Sequence, residues 1–474
     1  MKQVILPARS LKGELRLPGD RLISLCRAAV AALCDSETEL VGYSPHPDCQ
    51  AMLSALQTLG VGVEQAGDRV RIRGVGLGGL KQPQADIQCG ASHTVLGLLC
   101  GLLVGQGWDV ALAADVEVES MARAIEALQR LGAETSCSDD GGARIQIRAG
   151  ALRGIRYEAA GHNDVAKLAL LLAALYADGY TTLVEEGSAP GHLELALQAA
   201  GADLDARQIN EPVRRDPDDF EMELKRRISK FEGGVKCPPR REIRLCSTPK
   251  LRACKMAVPG DVSLAAFFLA AGAIAPSAEI RIAEVGLNPQ RAAFVEALSS
   301  MGADVRSGRL REESGEPVGD LVVCSSDLKG IRIAGDSASS MLEEILALVV
   351  VGTQAFGETL IRDAAALRKG RIDRLSMLSS YLKQMGARIG ELPDGVIIAG
   401  GTPLDGIDAD SLGDSQVAMA LAVAGLVAYG KTAVEHAECV EWSFPRFFDQ
   451  LARLSSDQRA PSGDGNAVRE VAIG

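Results

Sequence analysis

A helix that runs into a glycine recurs along this chain at intervals of about 70 residues. The copies read MLSALQTLGVGV at Met52–Val63, AIEALQRLGAET at Ala124–Thr135, LELALQAAGADL at Leu193–Leu204, FVEALSSMGADV at Phe294–Val305 and MLSSYLKQMGARI at Met377–Ile389, with a degenerate sixth, FPRFFDQLARL, at Phe444–Leu454. In the full copies apolar residues fall at helical spacing and the glycine sits where a left-handed C-cap belongs. Alternating segments such as DRVRIRG at Asp68–Gly74 and ARIQIRAG at Ala143–Gly150 follow and predict hairpin strands. An Ala-rich helix and a short strand precede the copies, as in Asp164–Glu186 and Ser415–Ala437. The unit is helix, strand, helix, hairpin, and six such units define the architecture before any single residue does.

Helices rich in Ala, Leu and Val with few charges predict burial, so the expected fold is α/β (α+β) with helices inside and sheets outside. A chain of 474 residues exceeds one ordinary domain. Six units divide into three and three: a first domain over 18–256, a second over 1–17 plus 257–454, and a flexible tail over 455–474. One interval is too long. Its excess centres on Pro212–Met256, which holds 13 Lys/Arg against 7 Asp/Glu in a chain of net charge −12. Low apolar content there predicts a solvated basic insertion, with a docking patch for an acidic protein partner as the sharper alternative.

The negative balance argues against a nucleic-acid partner or an anionic membrane surface. No apolar run reaches the roughly 20 residues of a membrane helix, and the N-terminus lacks the pattern of a signal peptide, so a cytoplasmic, monomeric protein is expected. The 11 cysteines are scattered singly through apolar surroundings, which suits reduced thiols. Cys237, Cys246 and Cys254 lack a CxxC pair or a nearby histidine, and no metal or other cofactor is expected.

The opening LPGDRLISLCRAAVAAL at Leu17–Leu33, VPGDVSLAAFFLAAGAI at Val258–Ile274, VGLNPQRAAFVEALSSMGADV at Val285–Val305 and SFPRFFDQLARL at Ser443–Leu454 together resemble the enolpyruvyl transferases, most closely the 5-enolpyruvylshikimate-3-phosphate synthase family. The resemblance spans about Lys12 to Leu454 apart from the insertion. It implies a two-domain fold closing on a cleft, and transfer of the carboxyvinyl group of phosphoenolpyruvate to the 5-hydroxyl of shikimate 3-phosphate, with phosphate released. Two polyanionic substrates require converging Arg and Lys side chains and groups able to carry protons.

Carried over position by position, the resemblance assigns substrate binding to Arg21, Arg27, Thr94, Lys369, Arg374 and Gln416. Glu343 takes the place of a catalytic aspartate, and Arg371 stands in the motif GRIDR at Gly370–Arg374. Several family positions are replaced here: a Lys-Ser pair by Arg21 and Leu22, an Asn and a Gly of the phosphoenolpyruvate loop by Ala91 and His93, and an Arg by Gly97. An Arg-Pro pair is replaced by Glu119 and Ser120, a Ser-Ser-Gln by Asn163, Asp164 and Val165, and a late Lys by Trp442. Three functions stay open. The cleft transfers carboxyvinyl groups with rearranged cations, to a phosphorylated shikimate-like acceptor; or the chain is a non-catalytic relative that binds or regulates; or His93 and Glu119 serve another reaction in the same cleft.

Overall fold

The computed structural model describes residues 1–139, 142–159, 164–186, 191–209, 240–246, 250–369, 372–455 and 469–470. Each repeat unit contributes two helices. In the first half they are α1 (Arg21–Ala32), α2 (Pro47–Thr58), α3 (His93–Leu103), α4 (Ala122–Arg130), α5 (Asp164–Ala174) and α6 (His192–Ala199). In the second half they are α7 (Val262–Ile274), α8 (Ala293–Ser300), α9 (Ile345–Gln354), α10 (Arg374–Gln384), α11 (Ser415–Gly425) and α12 (Phe447–Leu454). The odd-numbered members are the Ala- and Leu-rich helices and are buried almost throughout. The even-numbered ones, all but α12 running into a glycine, bury one face, except α6, which is buried from His192 to Leu197.

The apolar side chains form two cores. One gathers residues from Leu25 to Met256; the other joins Ile5–Leu15 to residues 262–454. Four-stranded sheets lie outside the helices, as the composition of the helices predicts. In the second unit the order is Ile87–Gln88, Val110–Ala114, Ala143–Arg148, Glu134–Asp139. The first pair is parallel and the other two antiparallel. The same order repeats in the fifth unit, from Arg332–Ile333 to Arg388–Leu392.

Two units complete their sheets by exchange. Lys12–Arg16 pairs in parallel with Glu279–Gly286 of the second lobe, and Lys255–Ala257 pairs in parallel with Glu37–Val41 of the first. The chain therefore crosses between lobes twice, at Leu17–Asp20 and Val258–Asp261. The crossings lie side by side: Asp20 N–H donates to Pro259 O at 2.8 Å and Asp261 N–H to Pro18 O at 3.0 Å. A Cβ on Gly19 would stand 1.7 Å from the carbonyl oxygen of Gly42, so only glycine allows this approach. Each crossing feeds a buried helix through an aspartate cap, Asp20 accepting from Ile23 N–H and Asp261 from Ser263 N–H.

The expected insertion is corrected in part. Arg240–Cys246 is an inner strand of the third sheet, between Tyr180–Glu186 and Leu204–Ile209. Ile243 and Leu245 alternate into the core, while Arg241 and Glu242 are buried beside opposite charges on neighbouring strands and helices. A window average hides such a strand, because its period-2 pattern is carried by only two apolar residues among paired ions. Of the proposed docking patch at 212–256, Leu251 bridges to Cys34 and Lys255–Ala257 is the exchanged strand, while 212–239 and 247–249, like the tail residues 456–468 and 471–474, lie outside the described residues.

Candidate functional site

The N-termini of α1 and α7 leave the two crossing segments, and contacts among Arg21, Asp48, Ser92, Ser263, Arg291, Glu343 and Glu344 bring those of α2, α3 and α9 to the same space between the lobes; those of α10 and α11 meet at Arg374 and Asp414, with Arg374 near enough to act on Glu343. Arg21 is the first residue of α1, and its place there is fixed by the Pro-Gly-Asp turn. Its guanidinium bridges the lobes, with Nη1 2.9 Å from Asp48 Oδ2 and Nη2 2.6 Å from Glu343 Oε1. Asp48, in the first turn of α2, also accepts from Ser92 Oγ at 2.9 Å, and Ser92 in turn caps α3. His46 caps α2 by accepting the Asp48 N–H at its Nδ1, so that nitrogen carries no proton; burial lowers the histidine further, against the pull of Asp48.

Below this layer Arg291 lies against Asp20, Glu344 and Ser263. Burial opposes its charge, yet Asp20, Glu344 and Asp261 outweigh it and raise the guanidinium. Five carboxylates, Asp20, Asp48, Asp261, Glu343 and Glu344, thus surround two arginines. The environments differ. Glu343 is held below the usual carboxylate range by Arg21 first, with Arg291, His46 and Arg374 adding to it. Asp261 is pushed up to about 7 by burial and then by the charge of Asp20, despite the opposing Arg291. Burial also raises Glu344.

The remaining sequence-derived candidates occupy several places. Arg374, first residue of α10, directs Nε to Asp414 Oδ2 at 2.6 Å. Gln416 is on the same carboxylate, its backbone N–H donating to Asp414 Oδ1 at 3.0 Å, and its own Oε1 is buried without a hydrogen-bond partner among the described residues. Thr94 is half-buried in the first turn of α3. Lys369 is exposed at the end of a short 3-10 turn, and Arg371 lies outside the described residues. Arg27 is not in this space: 1 % exposed, it points under the contact between the lobes and donates from Nη2 to Ser314 O at 3.1 Å.

Where the resemblance leads to expect further cations, the structure has other contents. A Cβ on Gly97 would lie 2.5 Å from Val165 Cγ1, so α3 and α5 pack too closely there for a side chain. Glu119, His93 and Trp442 are exposed. Sequence reasoning missed Asp20, His46, Asp48, Asp261, Arg291, Glu344 and Asp414. One signal was available: Pro-Gly-Asp occurs at 18–20 and again at 259–261, and setting the two segments side by side marks both aspartates as equivalent caps at one junction. Among the described residues no group of His, Cys, Asp and Glu has the arrangement of a metal site, and no helix is long and apolar enough to cross a membrane.

Comparison with known proteins bears on this geometry. The family model described as EPSP synthase (3-phosphoshikimate 1-carboxyvinyltransferase) matches residues 5–218 and 222–451. A 3-phosphoshikimate 1-carboxyvinyltransferase of Herpetosiphon aurantiacus is 38% identical over 457 residues, covering 96% of this chain and 99% of the relative. The protein of the same description from Brevibacillus brevis is 34% identical, covering 94% and 98%. Among solved structures, EPSP synthase from Acinetobacter baumannii superposes with a TM-score of 0.79 at 30% identity, covering 95% of this chain and 98% of that one. The enolpyruvyl transferase NikO from Streptomyces tendae shares the fold at a TM-score of 0.71 and 16% identity, covering 96% and 97%.

Proposed function

Because the chain belongs to the EPSP synthase (3-phosphoshikimate 1-carboxyvinyltransferase) family, we propose that it is a member whose own carboxylates occupy the cations of the cleft, and that it works as a non-catalytic binding or regulatory module. One observation carries this: Arg21 and Arg374, the cations of the cleft that family matching singles out, are already in charge-assisted contact with Asp48, Glu343 and Asp414. A phosphorylated substrate would have to displace an intramolecular carboxylate that is already in place, and would enter beside five carboxylates. Like-charge contact of that kind costs several kcal/mol in a desolvated cleft. The family's usual gain, guanidinium on phosphate, is thereby cancelled before the ligand arrives.

Active carboxyvinyl transfer from phosphoenolpyruvate is the second reading. It is favoured by relatives of that description at 34–38% identity along nearly the whole chain. Glu343 would then be the acid–base carboxylate, and Arg21 and Arg374 would turn from Asp48 and Asp414 to the substrates. The acceptor hydroxyl would add to C2 of the enol phosphate, giving up its proton to Glu343 as C3 gains one. Loss of a C3 proton and of phosphate would then restore the double bond as the enol ether of the acceptor.

The two readings part on Glu343→Gln. If self-pairing blocks the cleft, removing this charge frees the Nη2 side of Arg21, which Asp48 still holds at Nη1, and inorganic phosphate binds at least about tenfold tighter than to the unaltered protein by calorimetry, a gain of about 1.4 kcal/mol. If the cleft is catalytic, the same change abolishes turnover and leaves phosphate affinity where it was.

A further inference from the structure

Among the described residues, five of the six units close their sheets in the same way. The glycine that ends the even-numbered helix, at positions 60, 132, 201, 302 and 386, has φ between 83° and 103°. That left-handed residue turns the chain back into an antiparallel hairpin, which fills the third and fourth places of the sheet. In the sixth unit Ser455 follows α12 instead, extended at φ −76° and ψ 135°, and it bridges to Leu11. The third place is taken here by Gln3–Ile5, antiparallel to Thr432–Glu435. The fourth is taken by Arg469–Glu470, parallel to Gln3 and Val4 and in register with them.

A strand of three residues gains from that second neighbour. Ordering each backbone residue costs about 1–2 kcal/mol, and without a fourth strand the outer edge of Gln3–Ile5 would turn its N–H and C=O groups to water. Ile5 fixes the strand to the second core: it is 1 % exposed, and a Cβ on Gly425 of α11 would lie 3.2 Å from its Cβ. The covering segment is within reach. Thirteen residues separate Ser455 from Arg469 and span up to about 45 Å, whereas Gln3 is eight residues from Leu11, beside Ser455, and so at most about 30 Å away. Its sequence suits a strand, since the β-branched residues of 456–474 are Val468, Val471 and Ile473, all close to the paired dipeptide.

We infer that Arg469–Glu470 is an edge clasp: it supplies the strand that the sixth repeat does not make for itself and pins the N-terminal strand in the second lobe. Gln3, Val4 and the two residues they meet lie outside the family match, which begins at residue 5 and ends at 451, so the clasp is a device of this chain. Gln3–Ile5 leads through Lys12–Arg16 to the crossing at Leu17–Asp20, and the clasp thereby steadies the segment that delivers Arg21. It acts whether or not the cleft turns over, because its pairing is to Gln3 and Val4.

The test uses the full chain in two variants. In Val4→Cys, Glu470→Cys the new thiols are register partners, and neighbouring strands hold such positions within disulfide range. Mild oxidation is expected to join residues 4 and 470 of one chain, as read by peptide mass and by a single-chain band on a denaturing gel. No link between them, or a link between two chains, overturns the proposal. In Arg469→Pro, Glu470→Pro the core is untouched. Successive N–H groups alternate in direction along a strand, so one of the two prolines always falls on the paired side and removes a donor there. Amide exchange in residues 3–5 is then expected to rise at least about tenfold, with exchange in α1 unchanged. Equal exchange at residues 3–5 in the variant and the unaltered chain likewise overturns the clasp.

Discussion

The seam between α3 and α5 yields a prediction whose sign can be read directly. Replacing Gly97 by Ala adds a Cβ 2.5 Å from Val165 Cγ1 and 3.3 Å from Val165 O. Comfortable carbon contacts are about 3.5–4.0 Å, and a β-branched side chain on a helix has essentially one rotamer, so the helices must part by about 1 Å. Overpacking of this size costs about 1–3 kcal/mol. Alanine in a helix interior recovers about 1 kcal/mol relative to glycine, leaving a net loss of about 0–2 kcal/mol. At Gly101 the added atom meets Ala169 O at 2.5 Å and Leu172 Cβ at 2.9 Å. Backbone cannot swing aside, so Gly101→Ala should sit near the upper end of that range. Urea unfolding with Val165→Ala in a double-mutant cycle reports the contact, with a coupling of about 1 kcal/mol or more between positions 97 and 165. If Gly97→Ala and Gly101→Ala each stabilise the protein by about 1 kcal/mol, the close packing is refuted, and with it the reason an arginine is absent at 97.

Three further outcomes follow from the ionised groups. Asp261 is raised to about 7 in the folded protein against about 3.9 when exposed; the folded state then binds the proton more tightly, so its contribution is present below about pH 4 and lost as pH rises to about 7. The ceiling is about 4 kcal/mol at about 1.36 kcal/mol per unit, and Asp261→Asn should flatten this fall in a pH series of unfolding curves while keeping the cap on Ser263; an unchanged slope contradicts the assignment. Glu343, held low by Arg21, has the opposite sign: its contribution is present above the ordinary glutamate range and lost on acidification, so Arg21→Met should weaken the protein most at neutral pH. Glu194→Leu leaves Lys167 and Arg241 to share the single charge of Glu185 in the first core, so one buried cation goes uncompensated, and it should cost about 3–5 kcal/mol in denaturant titration, whereas a loss under 1 kcal/mol means those cations find solvent.

Much of the scaffold was legible because repetition amplifies weak signals. One glycine-terminated helix predicts little, but Met52–Val63 and its later copies predict units, burial and hairpins together, and α2, α4, α6, α8 and α10 appear where the copies lie. The strand Arg240–Cys246 was not legible, since its charged residues are compensated only by partners distant in sequence, such as Arg156 and Glu185. The same reason hid the cleft. Arg21, Arg374 and Glu343 were visible as residue types, but that Arg21 meets Asp48 and Glu343, 27 and 322 positions away, is a property of the fold. Arg27 shows the limit of motif matching: six residues on from Arg21 and nearly two turns along α1, the same residue type is buried and donates to Ser314 O of the other lobe.

The central claim is that the cleft is closed to phosphorylated substrates by its own carboxylates. Phosphate release by the unaltered full chain, supplied with phosphoenolpyruvate and shikimate 3-phosphate together, tests it most directly, alongside calorimetry of each compound alone. The account predicts no release above the background without protein and no heat of binding from either compound. Sustained phosphate release in proportion to protein concentration would contradict it.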